Sequence, residues 1–168
     1  MELKKIENGY EGTFFCAKLD SEIRIEAEEV HEAYIRRCAD LIGNMSDAML
    51  DELCEAAKQY CLWFIEQEKE AMGDEFTEEE AYHKITPDTP ARELLPMFTF
   101  RTMYIREPQD DIRMFFTLGG GCDWEIEHGI EAAFRDGKLA YLGSYDGVTA
   151  SGLDYYIDDE GAEWNFAL

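Results

Sequence analysis

Basic residues are scarce in this chain. Fifteen Lys and Arg stand against 38 Asp and Glu among 168 residues, a formal net charge of −23. A field of that sign repels nucleic-acid phosphates and anionic lipid headgroups, which excludes both as expected partners, and it speeds encounter with basic proteins. The same charge would also serve solubility alone, so the two readings stand side by side. Histidine is rarer still, at His31, His83 and His128. No GxSxG elbow and no cysteine-protease surround accompanies them, so nucleophilic catalysis lacks support and no catalytic residue is assigned. Long apolar runs are missing as well, and nothing approaches the ~20 residues needed to span a bilayer. Met1-Glu2-Leu3-Lys4-Lys5 leads to Glu7-Asn8-Gly9 rather than to an apolar core, so no signal peptide is expected. The cysteines (Cys16, Cys38, Cys54, Cys61 and Cys122) are odd in number and have no paired spacing. That pattern points to reduced, buried thiols in a cytoplasmic protein rather than to a disulfide framework.

What is present describes a folded chain. An apolar fraction of 46% with 13% aromatics is a globular composition, and the length suits one domain over residues 1–168. The helical part of that domain is expected at about 28–85 and the β-rich part at about 97–147. The clearest local signal is Asp136-Gly137, a dipeptide suited to the two positive-φ positions of a type I′ turn. A two-residue loop there sets Phe134 opposite Leu139, Ala132 opposite Tyr141 and Ile130 opposite Gly143. One apolar face then carries Ile130, Ala132, Phe134, Leu139 and Tyr141. The other face is mixed, with Glu131, Arg135 and Lys138, and Leu142 suggests that it too is partly covered.

An earlier hairpin is expected over 12–26, turning at Asp20-Ser21, with Ile23 and Ile25 facing inward. A helix from about Glu28 to Ile42 follows, with Val30, Ala33, Tyr34, Cys38 and Leu41 at helical spacing. Gly43-Asn44 supplies a left-handed terminator, and Ser46 caps a long second helix from Asp47 to about Ala71, stopped by Gly73-Asp74. Thr77 and Glu80 form a capping box for a short helix to Lys84, Thr86–Pro90 is a loop, and Pro90 starts one more turn that ends before Pro96. Strands are expected from Met97 to Arg106 and from Ile112 to Leu118, joined by an acidic turn from Glu107 to Asp111. Gly119-Gly120-Gly121 lacks the GK[ST] continuation of a phosphate loop and reads as a bend or bulge at a strand end. The aromatic tail (Tyr155, Tyr156, Trp164, Phe166) must pack onto something. The sum is an α+β fold, an antiparallel sheet of meanders and hairpins with two main helices packed on it.

The densest set of functional side chains is Cys122-Asp123-Trp124-Glu125-Ile126-Glu127-His128-Gly129. The ligand types suit a metal, but the run matches no template built from two short pairs, so no metal or other cofactor is assigned. Extended, the segment would put Asp123, Glu125 and Glu127 on one face, with Cys122, Trp124, Ile126 and His128 on the other. Core packing for Trp124 and a turn-flanking hydrogen bond for His128 are the structural alternatives.

The run from Cys122 to Ile130, then Phe134-Arg135-Asp136-Gly137-Lys138-Leu139 and Tyr145-Asp146-Gly147, resembles uncharacterised bacterial domain families. Those families carry a C-D-W-E-x-E-H-G signature followed by a strand, a D-G turn and a strand, and some members are assigned as immunity partners of polymorphic toxins. The resemblance runs from Cys122 to Gly147 and leaves the helical N-terminal half unmatched. It implies a small α+β protein whose task is binding. With the charge, it leads to an expected non-catalytic immunity-type protein that meets a basic toxin domain through Asp123, Trp124, Glu127 and His128, with Tyr145 and Asp146 further along. A metal- or small-ligand-binding domain, extending to a hydrolase, that uses residues 122–128 is the alternative. An accessory or scaffold protein whose acidity serves only solubility is the third reading.

Overall fold

The computed structural model describes residues 1–106, 113–158 and 160–167. Its frame is a seven-stranded sheet whose strands lie side by side in chain order. They are β1 (Glu2–Ile6), β2 (Gly9–Cys16), β3 (Ser21–Glu28), β4 (Phe98–Arg106), β5 (Phe115–Cys122), β6 (Ile130–Arg135) and β7 (Lys138–Gly143). All neighbouring pairs are antiparallel except β3 and β4, which run parallel with Ile25 beside Met103. A parallel pair needs a long crossover. Here residues 29–97 supply it, and they carry α1 (Glu32–Gly43) and α2 (Asp47–Met72). The fold is thus α+β on a mostly antiparallel sheet. Among the described residues no helix is long and apolar enough to cross a membrane.

The main core lies between the sheet and these helices. Ile23, Ile25, Phe100, Met103, Ile105, Phe116, Leu118 and Phe134 meet Tyr34, Ile35, Cys38, Leu53, Tyr60 and Cys61 there. Ser46 caps α2 by accepting the Met49 amide at 3.1 Å, and Gly73, at φ 54°, ends it. Its 26 residues span about 39 Å at 1.5 Å each. A second, smaller cluster covers the opposite face of β5–β7, where Phe115, Ala133 and Tyr141 pack against Val148 and Leu153 of α3 (Leu153–Asp158).

Several expectations from the sequence are corrected. β1 went unread because its sequence, ELKKI, is mostly exposed; its two-residue link to β2 and the pairing of Ile6 with Gly9 make it a strand. α1 begins at Glu32 rather than near Glu28 because β3 runs on to Glu28 and Glu29, at φ 54°, reverses the chain. Its end uses no left-handed residue. Asn44 instead donates both its backbone amide (3.0 Å) and its side-chain amide (2.9 Å) to the Asp40 carbonyl. The Thr77–Glu80 box does not form, and a single 3-10 turn starts at Ala81. Tertiary contacts override the local signal, because Tyr82 and His83 are both drawn onto Glu68 of α2. The turn after Pro90 is a 3-10 segment, Ala91–Met97, that contains Pro96. The acidic turn at 107–111 and the start of the strand at Ile112 lie outside the described residues.

The turn at Asp136-Gly137 has the positive φ values expected (53° and 81°), and Phe134 pairs with Leu139. Beyond that pair a bulge inserts one extra residue, Ala140, so Ala133 faces Tyr141 and Ala132 faces Leu142. Tyr141 therefore leaves the face shared by Ile130, Ala132 and Phe134 and joins the second cluster, while Leu142 takes its place in the main core. The glycine run is not a bend, and the irregularity expected there lies in the partner strand, where the register shifts between Phe100 and Thr102 opposite Gly120 and Gly119. Gly119, Gly120 and Gly121 are paired residues inside β5. A Cβ on Gly120 would lie 1.7 Å from the Thr99 carbonyl oxygen, so glycine is there for close strand approach.

Candidate functional site

Residues 122–129 do not run extended. Cys122 closes β5, the Asp123 amide donates to the Met97 carbonyl at 2.9 Å, and the chain turns through Ile126–His128. Glu125 organises the turn. Its Oε1 accepts the Glu127 amide at 3.0 Å and the His128 amide at 3.3 Å, and its carbonyl accepts the Gly129 amide at 2.9 Å. Gly129 sits at φ 74°, and a Cβ there would lie 2.2 Å from the Gly120 carbonyl oxygen, so only glycine returns the chain to the sheet. Cys122 turns inward, and burial pushes its thiol up to about 12. Among the described residues no group of three or more His, Cys, Asp or Glu is placed to hold a metal ion.

This turn places the expected residues unevenly. Trp124 is buried at 2% exposure, edge-on to Tyr60 of α2 at 5.8 Å between ring centroids and to Phe98 at 6.3 Å. Its indole Nε1 has no hydrogen-bond partner among the described residues. Asp123 and Glu127 are exposed, and Ile126 is 86% exposed. His128 points to solvent, with Nδ1 3.5 Å from Glu125 Oε2.

Beside the turn is a pocket of about 480 Å³ whose apolar lining comes from Phe64, Tyr82, Trp124 and Ile126. The other five of its nine lining residues are carboxylates: Glu68, Glu80, Asp123, Glu125 and Glu127. Three of the expected residues (Asp123, Trp124 and Glu127) are thus brought together, and sequence reading missed the contribution of α2 and the 81–84 turn. Glu68 and Tyr82 are fixed there by their mutual hydrogen bond at 3.1 Å and by His83 Nε2 at 3.0 Å from Glu68.

Tyr145 and Asp146 are elsewhere. They follow β7 on the far face of the sheet, where Tyr145 packs against Tyr104 at 6.0 Å between centroids. That face holds a site that sequence reading placed only on a mixed surface. Glu131 is fully buried, and its Oε2 accepts three consecutive amides, from Asp146 at 3.0 Å, Gly147 at 2.8 Å and Val148 at 3.2 Å. Its Oε1 has no hydrogen-bond partner among the described residues. Burial holds the acid above the usual carboxylate range, against the pull of the three amides and of the Thr117 hydroxyl. The one sequence signal was a glutamate embedded in Ile130-Glu131-Ala132-Ala133-Phe134, upstream of the Asp146-Gly147-Val148 segment whose amides it accepts.

No curated protein matches the chain, and no solved structure does. The family described as a domain of unknown function (DUF6985) matches residues 3–149, so it takes in the helical crossover and all seven strands as well as the 122–147 stretch. On that extent of match, the chain belongs to the DUF6985 domain family.

Proposed function

We propose that this protein is a non-catalytic binding protein that captures a basic protein partner, a toxin domain, in the acidic pocket beside the 122–129 turn, and so acts as its cytoplasmic immunity protein. One observation carries the reading: Ile126 is 86% exposed at a pocket where five of nine lining residues are carboxylates. An exposed aliphatic side chain beside a concave, acid-walled surface suits an Arg or Lys. The aliphatic stem of the partner residue would lie against Ile126 and Phe64 while its charged head meets Glu68, Asp123 and Glu127. The unpartnered Trp124 Nε1 leaves one donor for a polar group of the partner. The net charge of −23 would supply long-range attraction, and the pocket the specificity. Tyr145 and Asp146, on the other face, take no part in this interface.

The test is a pull-down with the tagged protein at low and high salt. It compares an Asp123→Lys, Glu127→Lys double variant with a Glu2→Lys, Glu7→Lys control of equal charge change. A basic toxic domain retained at high salt by the wild type and the control, and lost by the pocket variant, supports the reading. The reading fails if the cognate toxin stays fully active in the presence of excess protein, or if the two variants bind alike.

A further inference from the structure

The Glu131 site, on the sheet face opposite the proposed partner surface, has the form of a small-molecule slot. Glu131 lines an inner cavity of about 20 Å³, together with Thr117, Tyr104 and Tyr145. That volume admits one water-sized group. Arg106 and Thr149 belong to its wall and also to the wall of a wider neighbouring pocket of about 480 Å³, which Asn8, Glu28 and Glu29 line as well. The Arg106 guanidinium lies 5.0 Å from the centroid of the Tyr104 ring. At the inner end, the fully buried Glu131 spends Oε2 on three backbone amides, the Thr117 hydroxyl also acts on the carboxylate, and Oε1 has no hydrogen bond of normal geometry among the described residues. A buried carboxylate oxygen without a donor costs free energy, so the slot is built to receive one.

We infer that this slot binds a protonated primary amine, whose ammonium head fills the inner cavity and donates to Glu131 Oε1 while its substituent lies in the outer pocket. Size and charge select that class. An ammonium head is close to water in size and brings three donors, whereas a guanidinium or a quaternary ammonium exceeds the inner volume. Among the described residues, three carboxylates (Glu28, Glu29 and Glu131) face one guanidinium across the two spaces, a balance that favours a cation. Two sources share this chemistry. In an alkyl diamine the second ammonium would meet Glu28 and Glu29; in an amino acid the carboxylate would meet Arg106.

Calorimetric titration of the full chain with ethylamine, 1,4-diaminobutane, glycine and tetramethylammonium tests the assignment. Saturable binding of one or more of the primary amines, absence of binding by tetramethylammonium, and an affinity loss of about tenfold or more in Glu131→Gln are expected, since a charge-assisted hydrogen bond is lost. The Gln carbonyl still accepts the three loop amides, so the loop keeps its anchor. A tighter fit of diaminobutane or of glycine identifies the source. No binding by any primary amine, equal binding of tetramethylammonium, or an unchanged affinity in Glu131→Gln overturns the inference. If the variant fails to fold, a crystal of the wild type soaked in ethylamine decides. Ethyl density ending on Glu131 Oε1 supports the site, and a lone water there overturns it.

Discussion

Gly147 donates its amide to Glu131 Oε2 at 2.8 Å, the shortest of three such bonds, and that carboxylate is fully buried. The contact ties the loop after β7 to the start of β6, and from it the chain proceeds to Val148 and α3, which cover the outer face. Burial raises the Glu131 pKa above its unfolded value. Its contribution to stability is therefore fully present below the unfolded pKa, near 4.3, and is lost as pH rises through the folded value. Glu131→Gln removes that titration. The stability difference, variant minus wild type, should move in favour of the variant between pH 4 and pH 7 in urea titrations. A flat difference would show that the carboxylate ionises without cost in the folded state.

Asn165 closes the open edge of β7. Its Oδ1 accepts the Leu142 amide at 3.2 Å, and its Nδ2 donates to the Ala140 carbonyl at 2.9 Å and the Tyr156 carbonyl at 3.0 Å. Asn165→Ala should cost about 2–3 kcal/mol, since buried backbone groups lose their partners. Hydrogen exchange at the Leu142 amide should quicken with it, which separates a lost edge cap from general destabilisation.

Two neighbouring glycines should respond in opposite ways. A Cβ on Gly120 would meet the Thr99 carbonyl oxygen at 1.7 Å, while one on Gly121 meets nothing within 4 Å. Gly120→Ala should cost more than about 4 kcal/mol or prevent folding, and Gly121→Ala should stay within about 0.5 kcal/mol of wild type. Thermal unfolding of both variants reads this directly. Similar, small effects at both positions would return the run to a flexible bend.

The thiols should be inert in the folded protein. All five cysteines are buried and free, and burial pushes Cys38, Cys61 and Cys122 up to about 12. Labelling at pH 8 should be slow for the native chain and complete in denaturant, because the thiolate is the reactive form. Fast native labelling at Cys122 would mean that the 122–129 turn opens readily.

Legibility in the sequence followed the range of the interaction. The Ser46 cap, the Gly73 stop and the Asp136-Gly137 turn are decided within a few residues, and each was readable. The residues of the acidic pocket were half readable. Asp123, Trp124 and Glu127 are neighbours in the chain, but Phe64 and Glu68 reach them only through the packing of α2. Core packing was a reading of Trp124 from the sequence, but Tyr60 as the ring it packs against was not readable. The Ala140 bulge is a choice made by two cores at once, since it sends Tyr141 to one and Leu142 to the other.

By itself the sequence determined the acidic field, the α+β class, the long capped helix and the tight turn, because composition and nearest-neighbour backbone preferences settle these. Only the tertiary structure decided that β3 and β4 run parallel, that three glycines sit inside a strand, and that Glu131 is buried with one oxygen committed and one left over. Those outcomes rest on contacts between residues far apart in the chain, such as Thr99 with Gly120 and Glu131 with Gly147, where close backbone approach and burial outweigh what either segment prefers alone.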